Sequence, residues 1–128
     1  MRVHDDYKEW NIATQRKDPN SVWNFWKKML KLRKEYESLV YGKFIPLDES
    51  NEKIYAYMRN DPTIGQKLFV VLNMARGSGR GDTVSFTVPE NVDGAKAKLI
   101  ITNGPAAEGS ALDKELSLEP FEGRIYAL

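Results

Sequence analysis

Residues 18–41, which read DPNSVWNFWKKMLKLRKEYESLVY, constrain the fold of this chain more than any other stretch. Asp18 can cap a first helical turn, and Pro19 suits the position after it because its missing N–H would have no partner there. Apolar side chains follow at the three- and four-residue spacing of an amphipathic helix; they are Val22, Trp23, Phe25, Trp26, Met29, Leu30, Leu32 and Tyr36. The pattern predicts one long helix from about Pro19 to Ser38. Its apolar face is wide and carries three large aromatic side chains, so we expect it to pack against a large surface.

After Gly42 the hydrophobic pattern changes to alternation, which is typical of strands. The predicted strands are residues 43–47, 53–59, 67–74, 83–88, 95–102, 115–118 and 124–128. The third contains LFVVL and should be buried on both faces, whereas the fourth should direct Val84, Phe86 and Val88 inward. Residues 76–82, RGSGRGD, are predicted to form a flexible hairpin loop, and residues 1–17 an extended segment. Seven short strands favour an antiparallel β-sandwich or a partly closed barrel, so the expected fold is mainly β with one long N-terminal helix.

Composition excludes several classes of function. Hydrophobic residues make up 41% and charged residues 29% of the 128 positions, as in an ordinary globular protein. A formal net charge of +1 gives no reason to expect binding to nucleic acid or an anionic membrane. The longest apolar run, residues 68–72, is far shorter than the roughly 20 residues that cross a membrane. No signal peptide is recognisable and there is no cysteine, so we expect a cytoplasmic protein.

The polar N-terminal residues offer a first candidate site. His4 beside Asp5 and Asp6 suggests a metal site, but adjacent carboxylates on an extended chain point in opposite directions. The chain has no second histidine to complete a set of ligands. Solvated charges are therefore the favoured interpretation.

A second candidate is the acidic turn that contains Asp48, Glu49 and Glu52. Two carboxylates are what glycoside hydrolysis needs, yet no apolar pocket is evident around these three, and an ordinary polar turn is favoured. The glycines of residues 76–82 could cradle a phosphate only between a strand and a helix, and strands are predicted on both sides. The same loop contains the adhesion-type tripeptide 80–82, which is short enough to occur by chance.

Aromatic side chains are the last candidates, because Trp23, Trp26, Tyr55 and Tyr57 could stack on sugars. Their helix and strand spacing is more typical of core or docking positions. We therefore predict no catalytic, substrate-binding or metal site in these residues, and no cofactor.

Several runs resemble a known enzyme family. MRVHDDYKEWNIATQ, DPNSVWNFWKKMLKLRKEY and LVYGKF are similar to the end of the catalytic barrel in α-glucosidases of glycoside hydrolase family 13, of the maltase and oligo-1,6-glucosidase type, with fungal enzymes most alike. KIYAYMR, KLFVVLNM and LSLEPFEGRIYAL are similar to the β-rich C-terminal domain of that family. The resemblance implies that residues 1–41 end a (β/α)8 barrel with its last helix, and that residues 42–128 form an antiparallel β-sandwich domain.

The resemblance also implies what these residues lack. The family's nucleophilic aspartate, general-acid glutamate and stabilising aspartate lie on earlier barrel strands, and their motifs have no counterpart here. The chain is therefore expected to be a C-terminal part of an α-glucosidase that cleaves α-glucosidic bonds in maltose and related oligosaccharides, with a structural role and no activity alone. Its expected partner is the catalytic barrel, with self-association through the helix Val22–Leu32 as a further possibility. The alternative is an independent β-sandwich module that binds carbohydrate or another partner.

Overall fold

A computed structural model describes residues 3–76 and 81–128 of the chain. The chain divides into two compact units, Met1–Glu35 and Tyr36–Leu128. Across the described residues, no helix combines the length and the apolar character that crossing a membrane requires.

The regular elements described in the first unit are all helical. The unit contains a 3-10 turn at Asp5–Lys8, helix α1 at Ile12–Gln15 and helix α2 at Val22–Glu35. The prediction of an extended segment over residues 1–17 is therefore wrong. A capping box explains the difference, because the Asn11 side chain accepts a hydrogen bond from the Thr14 N–H at 3.0 Å and the Thr14 hydroxyl accepts one from the Asn11 N–H at 3.3 Å.

Helix α2 begins at Val22 rather than at Pro19. Asp18 does not cap it: the Asp18 carboxylate accepts the Asn20 N–H at 2.9 Å and so builds the turn before the helix. Ser21 has the capping role, since its hydroxyl accepts the Asn24 N–H at 3.3 Å. The same hydroxyl donates to the Gln15 carbonyl at 2.6 Å, which ties the start of α2 to α1.

The predicted helix is interrupted after Glu35. In a continuous α-helix the Ser38 N–H would donate to the carbonyl four residues earlier. In this structure the N–H and the hydroxyl of Ser38 both donate to the Gln66 side-chain oxygen, at 3.0 and 2.7 Å. Residues 38–41 therefore form a separate short helix, α3 (Ser38–Tyr41), within the second unit.

The described residues of the second unit contain seven antiparallel strands. They are β1 (Lys43–Leu47), β2 (Ile54–Asp61), β3 (Gln66–Asn73), β4 (Val84–Thr87), β5 (Lys98–Thr102), β6 (Glu115–Leu118) and β7 (Gly123–Ala127). Five form one sheet in the order β1-β2-β3-β7-β5, and β4 and β6 form a second. Both sheets are open, and the mainly β character expected for this part of the chain is confirmed.

Strand β3 lies at the centre of the larger sheet, as its apolar run predicts. Leu68, Phe69, Val70 and Val71 are all buried, because β2 and β7 flank the strand and its two faces are both covered. The alternation predicted for the fourth strand is also found: Phe86 is buried, and the neighbours of Phe86 in the strand are exposed.

The hairpin predicted around residues 76–82 is wrong. Strand β4 does not pair with β3 but with β6, so the connection crosses from the larger sheet to the smaller one. The buried Asn73 side chain supports this crossing, because its amide donates to the carbonyls of Asp82 and Leu118 at 2.7 and 3.1 Å. Flexibility was predicted for residues 76–82, of which residues 77–80 lie outside the described residues.

The side chains that face each other from the two sheets share one core. Phe69, Phe86 and Tyr126 form its aromatic centre, with ring centroids 6.4 Å apart for Phe69 and Phe86 and 6.1 Å apart for Phe69 and Tyr126. Leu99 of β5 and Leu118 of β6 are also fully buried in it. The second unit thus has a hydrophobic core of its own.

Candidate functional site

Helix α2 carries two apolar stripes. By helical geometry its apolar side chains cover about half of the circumference. Phe25 and Met29 are half-buried and Leu32 is buried, and these three follow one line along the helix. Val22, Trp26 and Leu30 follow a second line, four residues apart, and are 73%, 62% and 55% exposed. We call this second line the exposed stripe.

Trp23 borders the exposed stripe and lies between two cations. The Arg16 guanidinium carbon and the Lys27 ammonium nitrogen each lie 5.3 Å from the centroid of its ring. Cations at this distance are attracted by the negative face of an indole. Trp23 is therefore held in place inside the first unit, whereas Trp26 is largely exposed to solvent.

A shallow open groove follows the exposed stripe. It is lined by Trp23, Trp26, Lys27, Leu30, Lys31 and Lys34. The floor is apolar and the rim is cationic, and Glu35 meets one of the rim lysines, Lys31, at 3.5 Å. Such a surface suits contact with another protein surface that offers apolar side chains and carboxylates.

The N-terminal metal site suggested by His4, Asp5 and Asp6 does not assemble. His4 and Asp6 hydrogen-bond to each other through Nδ1 and a carboxylate oxygen, and both side chains are exposed. Among the described residues, no three His, Asp or Glu side chains come together in a way that could hold a metal ion.

The acidic turn is a structural turn between β1 and β2. Asp48 has a positive φ of 50°, and its carboxylate accepts the Ser50 hydroxyl at 3.2 Å and the Asn51 amide at 2.9 Å. Both oxygens of Asp48 are thus used to shape the turn. Glu49 and Glu52 are exposed to solvent.

Two of the aromatic residues considered for sugar stacking, Tyr55 and Tyr57, lie on the second unit with Phe44. The Phe44 and Tyr57 centroids are 5.0 Å apart with ring planes at 39°, and the Tyr55 and Tyr57 centroids are 5.5 Å apart with planes at 53°. Burial raises the pKa of the Tyr57 phenol, and the Arg59 charge offsets part of that rise. Tilted rings pack against one another and do not form a flat platform for a sugar.

Two polar clusters of the second unit were missed from the sequence. In the first, Arg59 donates from Nε to the Ser38 carbonyl at 3.1 Å and from its terminal nitrogen to the Val40 carbonyl at 3.0 Å. These bonds satisfy carbonyls at the end of α3, and with Gln66 they attach α3 to the sheet. No sequence signal predicts such contacts, which join residues about 20 positions apart.

The second missed cluster is the buried ion pair Glu122–Arg124. Arg124 Nε donates to the Glu122 carboxylate at 2.6 Å, and the two side chains are 11% and 1% exposed respectively. Burial alone would raise the pKa of Glu122, but hydrogen bonds from Arg124, the Glu119 N–H and Thr102 outweigh it and hold the pKa below its ordinary value. Glu122 directly precedes β7, and the i, i+2 spacing was the available signal, since in extended chain it places both side chains on one face.

A family model matches the start of the chain, and two relatives match nearly all of it. Residues 1–42 match the α-amylase catalytic domain family. The chain is 43% identical to an α-glucosidase of Schizosaccharomyces pombe, covering 100% of this chain and 20% of that protein. It is 34% identical to an oligo-1,6-glucosidase of Parageobacillus thermoglucosidasius, covering 98% of this chain and 21% of that protein. The chain thus spans about a fifth of the length of these relatives.

Solved structures agree with the sequence matches. The trehalose-6-phosphate hydrolase of Bacillus licheniformis superposes with a TM-score of 0.80 at 30% identity, over 98% of this chain and 21% of that one. The trehalulose synthase of Pseudomonas mesoacidophila superposes with a TM-score of 0.82 at 28% identity, over 99% of this chain and 21% of that one. By sequence and by fold, this chain is similar to part of the enzymes of the α-amylase family, glycoside hydrolase family 13.

Proposed function

We propose that this chain is the C-terminal part of an α-glucosidase that hydrolyses α-glucosidic bonds in maltose and related oligosaccharides. Residues 1–41 would end the catalytic barrel with its last helix, and residues 42–128 would form a β-sandwich domain. The names of the relatives support the activity, and the match of residues 1–42 to a catalytic domain family supports the division. About four-fifths of the length of these relatives lies outside the residues present here.

The exposed stripe of α2 carries the proposal. Val22, Trp26 and Leu30 leave more than half of each side chain open to water, although helix amphipathicity normally hides such residues. A large aromatic side chain buries about 150–250 Å² when it is packed, so this stripe is a costly surface to leave uncovered. The catalytic barrel of the same enzyme is the occupant that fits, because it is the part that the relatives have and these residues lack.

The proposed role is structural, with catalytic carboxylates supplied by the barrel. Retaining glycosidases need two carboxyl groups about 5–5.5 Å apart across a sugar pocket. Glu122 is the one buried carboxylate of the described residues, and Arg124, Thr102 and the Glu119 N–H already occupy its oxygens. A carboxylate held in its charged form by Arg124 is poorly suited to act as a general acid.

Two further expectations accompany this role. Without the barrel, the helix Val22–Leu32 would offer its exposed stripe to a second copy and drive self-association. A cytoplasmic location is supported only by the absence of cysteine from the sequence.

Exchange of segments tests the proposed function directly. In the S. pombe α-glucosidase, the segment that aligns with this chain would be replaced by the 128 residues described here. We expect the chimera to hydrolyse maltose, and a version lacking the segment to be inactive or insoluble. A soluble, folded chimera without activity would contradict the proposal.

A pair of variants then tests the docking surface within that chimera. Trp26→Lys with Leu30→Lys places two charges on the exposed stripe and should lower both the melting temperature and the activity of the chimera. Asn91→Lys with Ala95→Lys adds the same charge at exposed positions between β4 and β5 and should change neither. Equal effects of the two pairs would mean that the exposed stripe does not dock on the barrel.

The alternative, an independent carbohydrate-binding module, has less support. Its best candidates on the second unit, Tyr55 and Tyr57, have rings inclined at 53° to each other. Binding of maltose or longer glucans by the isolated chain, abolished by Tyr55→Ala, would favour the module over the docking role.

A further inference from the structure

Asn103 and Gly104, directly after β5, are the one Asn–Gly pair of the sequence. This dipeptide is chemically labile, because glycine has no Cβ to hinder its own amide nitrogen from reaching the side-chain carbon of the preceding asparagine. Both residues nevertheless lie in an ordered turn, and each has a structural role there.

Asn103 is needed because its side chain bridges the turn before β7. Its amide donates to the Phe121 carbonyl at 3.0 Å, and its oxygen accepts the Gly123 N–H at 2.7 Å. The backbone N–H of Asn103 also donates to the Gly123 carbonyl at 3.4 Å. Phe121 has a positive φ of 59°, which bulky residues seldom adopt, so the turn depends on contacts of this kind to hold it.

Gly104 is needed because of the buried ion pair. A Cβ at this position would overlap the carboxyl group of Glu122. That carboxyl group cannot easily move away, since Arg124 and the Glu119 N–H hold its two oxygens at 2.6 and 2.8 Å. The fold thus selects both residues for reasons of packing and places a reactive pair side by side.

We propose that Asn103 is a deamidation site that the native fold keeps unreactive. In the reaction, the deprotonated Gly104 amide nitrogen forms a bond to the Asn103 side-chain carbon, and the side-chain nitrogen leaves as ammonia. Water then opens the resulting five-membered imide at either carbonyl, which yields aspartate or isoaspartate.

Hydrogen bonds oppose the first step on both sides. The Gly104 N–H donates to the Thr102 hydroxyl at 2.8 Å, and the Asn103 carboxamide is held by Phe121 and Gly123. The nucleophile and the carbon it attacks can therefore meet only after the turn opens locally. Reaction in the folded chain is limited by the population of that open form.

The modification is expected to be self-reinforcing. An aspartate at position 103 has no N–H to offer the Phe121 carbonyl, and it places a negative charge next to that carbonyl oxygen. Isoaspartate also lengthens the backbone by one carbon. Either product weakens the contact between the end of β5 and the turn before β7, so a modified chain opens there more readily.

Peptide mass spectrometry of the full chain, aged at mildly alkaline pH, tests this inference. We expect conversion of Asn103 to be slow in the native chain and fast in urea. Thr102→Ala removes the hydroxyl that accepts the Gly104 N–H and that also donates to Glu122 at 3.3 Å. Loss of these hydrogen bonds should raise the open population, and with it the rate, by roughly fivefold or more. Thr102→Ser keeps a hydroxyl and should stay close to the native rate.

Thr87→Ala is the matched control, because it removes an exposed threonine hydroxyl that bonds to Glu115 on the other sheet. It should leave the rate at Asn103 unchanged. Circular dichroism establishes that each variant is folded before ageing begins. Equal conversion of the native and urea-treated chains, or a folded Thr102→Ala chain that reacts no faster, would overturn the inference.

Discussion

Glu122 is a buried carboxylate whose free-energy cost of burial depends on the groups around it. Its carboxylate is buried and would by itself be strongly destabilising. Arg124, Thr102 and the Glu119 N–H each donate to it, so both carboxylate oxygens accept hydrogen bonds. Arg124 in turn donates to the Ser117 carbonyl at 2.7 Å, which connects β7 to β6 and therefore one sheet to the other.

Replacement of Glu122 by glutamine should destabilise the second unit. Glutamine has nearly the same shape but leaves the Arg124 guanidinium buried without its counter-charge, and such a loss costs roughly 3 kcal/mol. Chemical denaturation of the purified chain would measure it. Glu119→Gln, at a neighbouring exposed carboxylate, is the control and should cost less than about 0.5 kcal/mol.

Lowering the pH should reduce the contribution of the Glu122–Arg124 ion pair to the free energy of unfolding. The pKa of Glu122 is lowered in the folded chain, so its contribution to stability is complete above the unfolded pKa, about 4.3, and is lost as the pH falls through the lower folded value. The difference in unfolding free energy between the native chain and Glu122→Gln should therefore be constant near neutral pH and shrink below about pH 4. A difference that grew with acid would contradict the direction of the shift.

At the scale of elements, the ends of α2 are determined by hydrogen bonds, and its buried and exposed faces are determined by packing. Ser21 caps its N-terminus. After its C-terminus, the Ser38 N–H donates to the Gln66 side chain, so the residues that follow form the separate helix α3. Between these ends, the buried stripe and the exposed stripe lie side by side. The sequence predicted a single wide apolar face. On that face Val22, Trp26 and Leu30 are largely exposed, whereas Trp23, Phe25 and Met29 are half-buried.

The isolated chain should therefore bind a hydrophobic dye and self-associate through the exposed stripe. Trp26→Lys with Leu30→Lys should reduce both, because each change puts a charge where apolar contact would occur. Trp23 is left intact, since Arg16 and Lys27 pack on its ring and its replacement would disturb the first unit. Sedimentation and dye fluorescence measure the result, with Asn91→Lys and Ala95→Lys as the control of equal charge. A native chain that is monomeric and binds no dye would contradict this prediction.

At the scale of the whole chain, the second unit depends on strands that are far apart in sequence. Strand β3 pairs with β7 across about fifty residues, and β4 pairs with β6 across about thirty. One core unites the two sheets, with Phe69, Phe86 and Tyr126 at its centre. The unit can therefore be stable on its own account, and the buried carboxylate that its described residues contain, Glu122, is bonded to Arg124.

The isolated chain should accordingly not hydrolyse maltose, isomaltose or a nitrophenyl glucoside above the buffer blank. The physical reason is that retaining hydrolysis needs a pair of carboxyl groups about 5–5.5 Å apart. The S. pombe chimera assayed in parallel serves as the positive control. Turnover by the isolated chain that disappeared in Asp48→Asn or Glu52→Gln would show that the acidic turn is a site.

The sequence by itself determined where most strands lie. Alternation of apolar and polar residues is a local property, because neighbouring side chains of a strand point to opposite faces. Strand β1 has the predicted bounds, the central position of β3 follows from its unbroken apolar run, and the apolar pattern of α2 locates that helix to within a few residues at each end. The likeness to family 13 was readable for the same reason, since it rests on short runs of residues.

Only the tertiary structure decided what depends on distant partners. Gln66 interrupts the predicted helix at Ser38, and β6 rather than β3 receives β4, so the predicted hairpin does not form. Neither result can be predicted from residues close in sequence. A backbone N–H can donate to any acceptor, and a strand edge can pair with any strand, that packing brings next to it. The burial of Glu122 and the exposure of Trp26 have the same origin: each depends on which surfaces surround the side chain, and local periodicity does not contain that information.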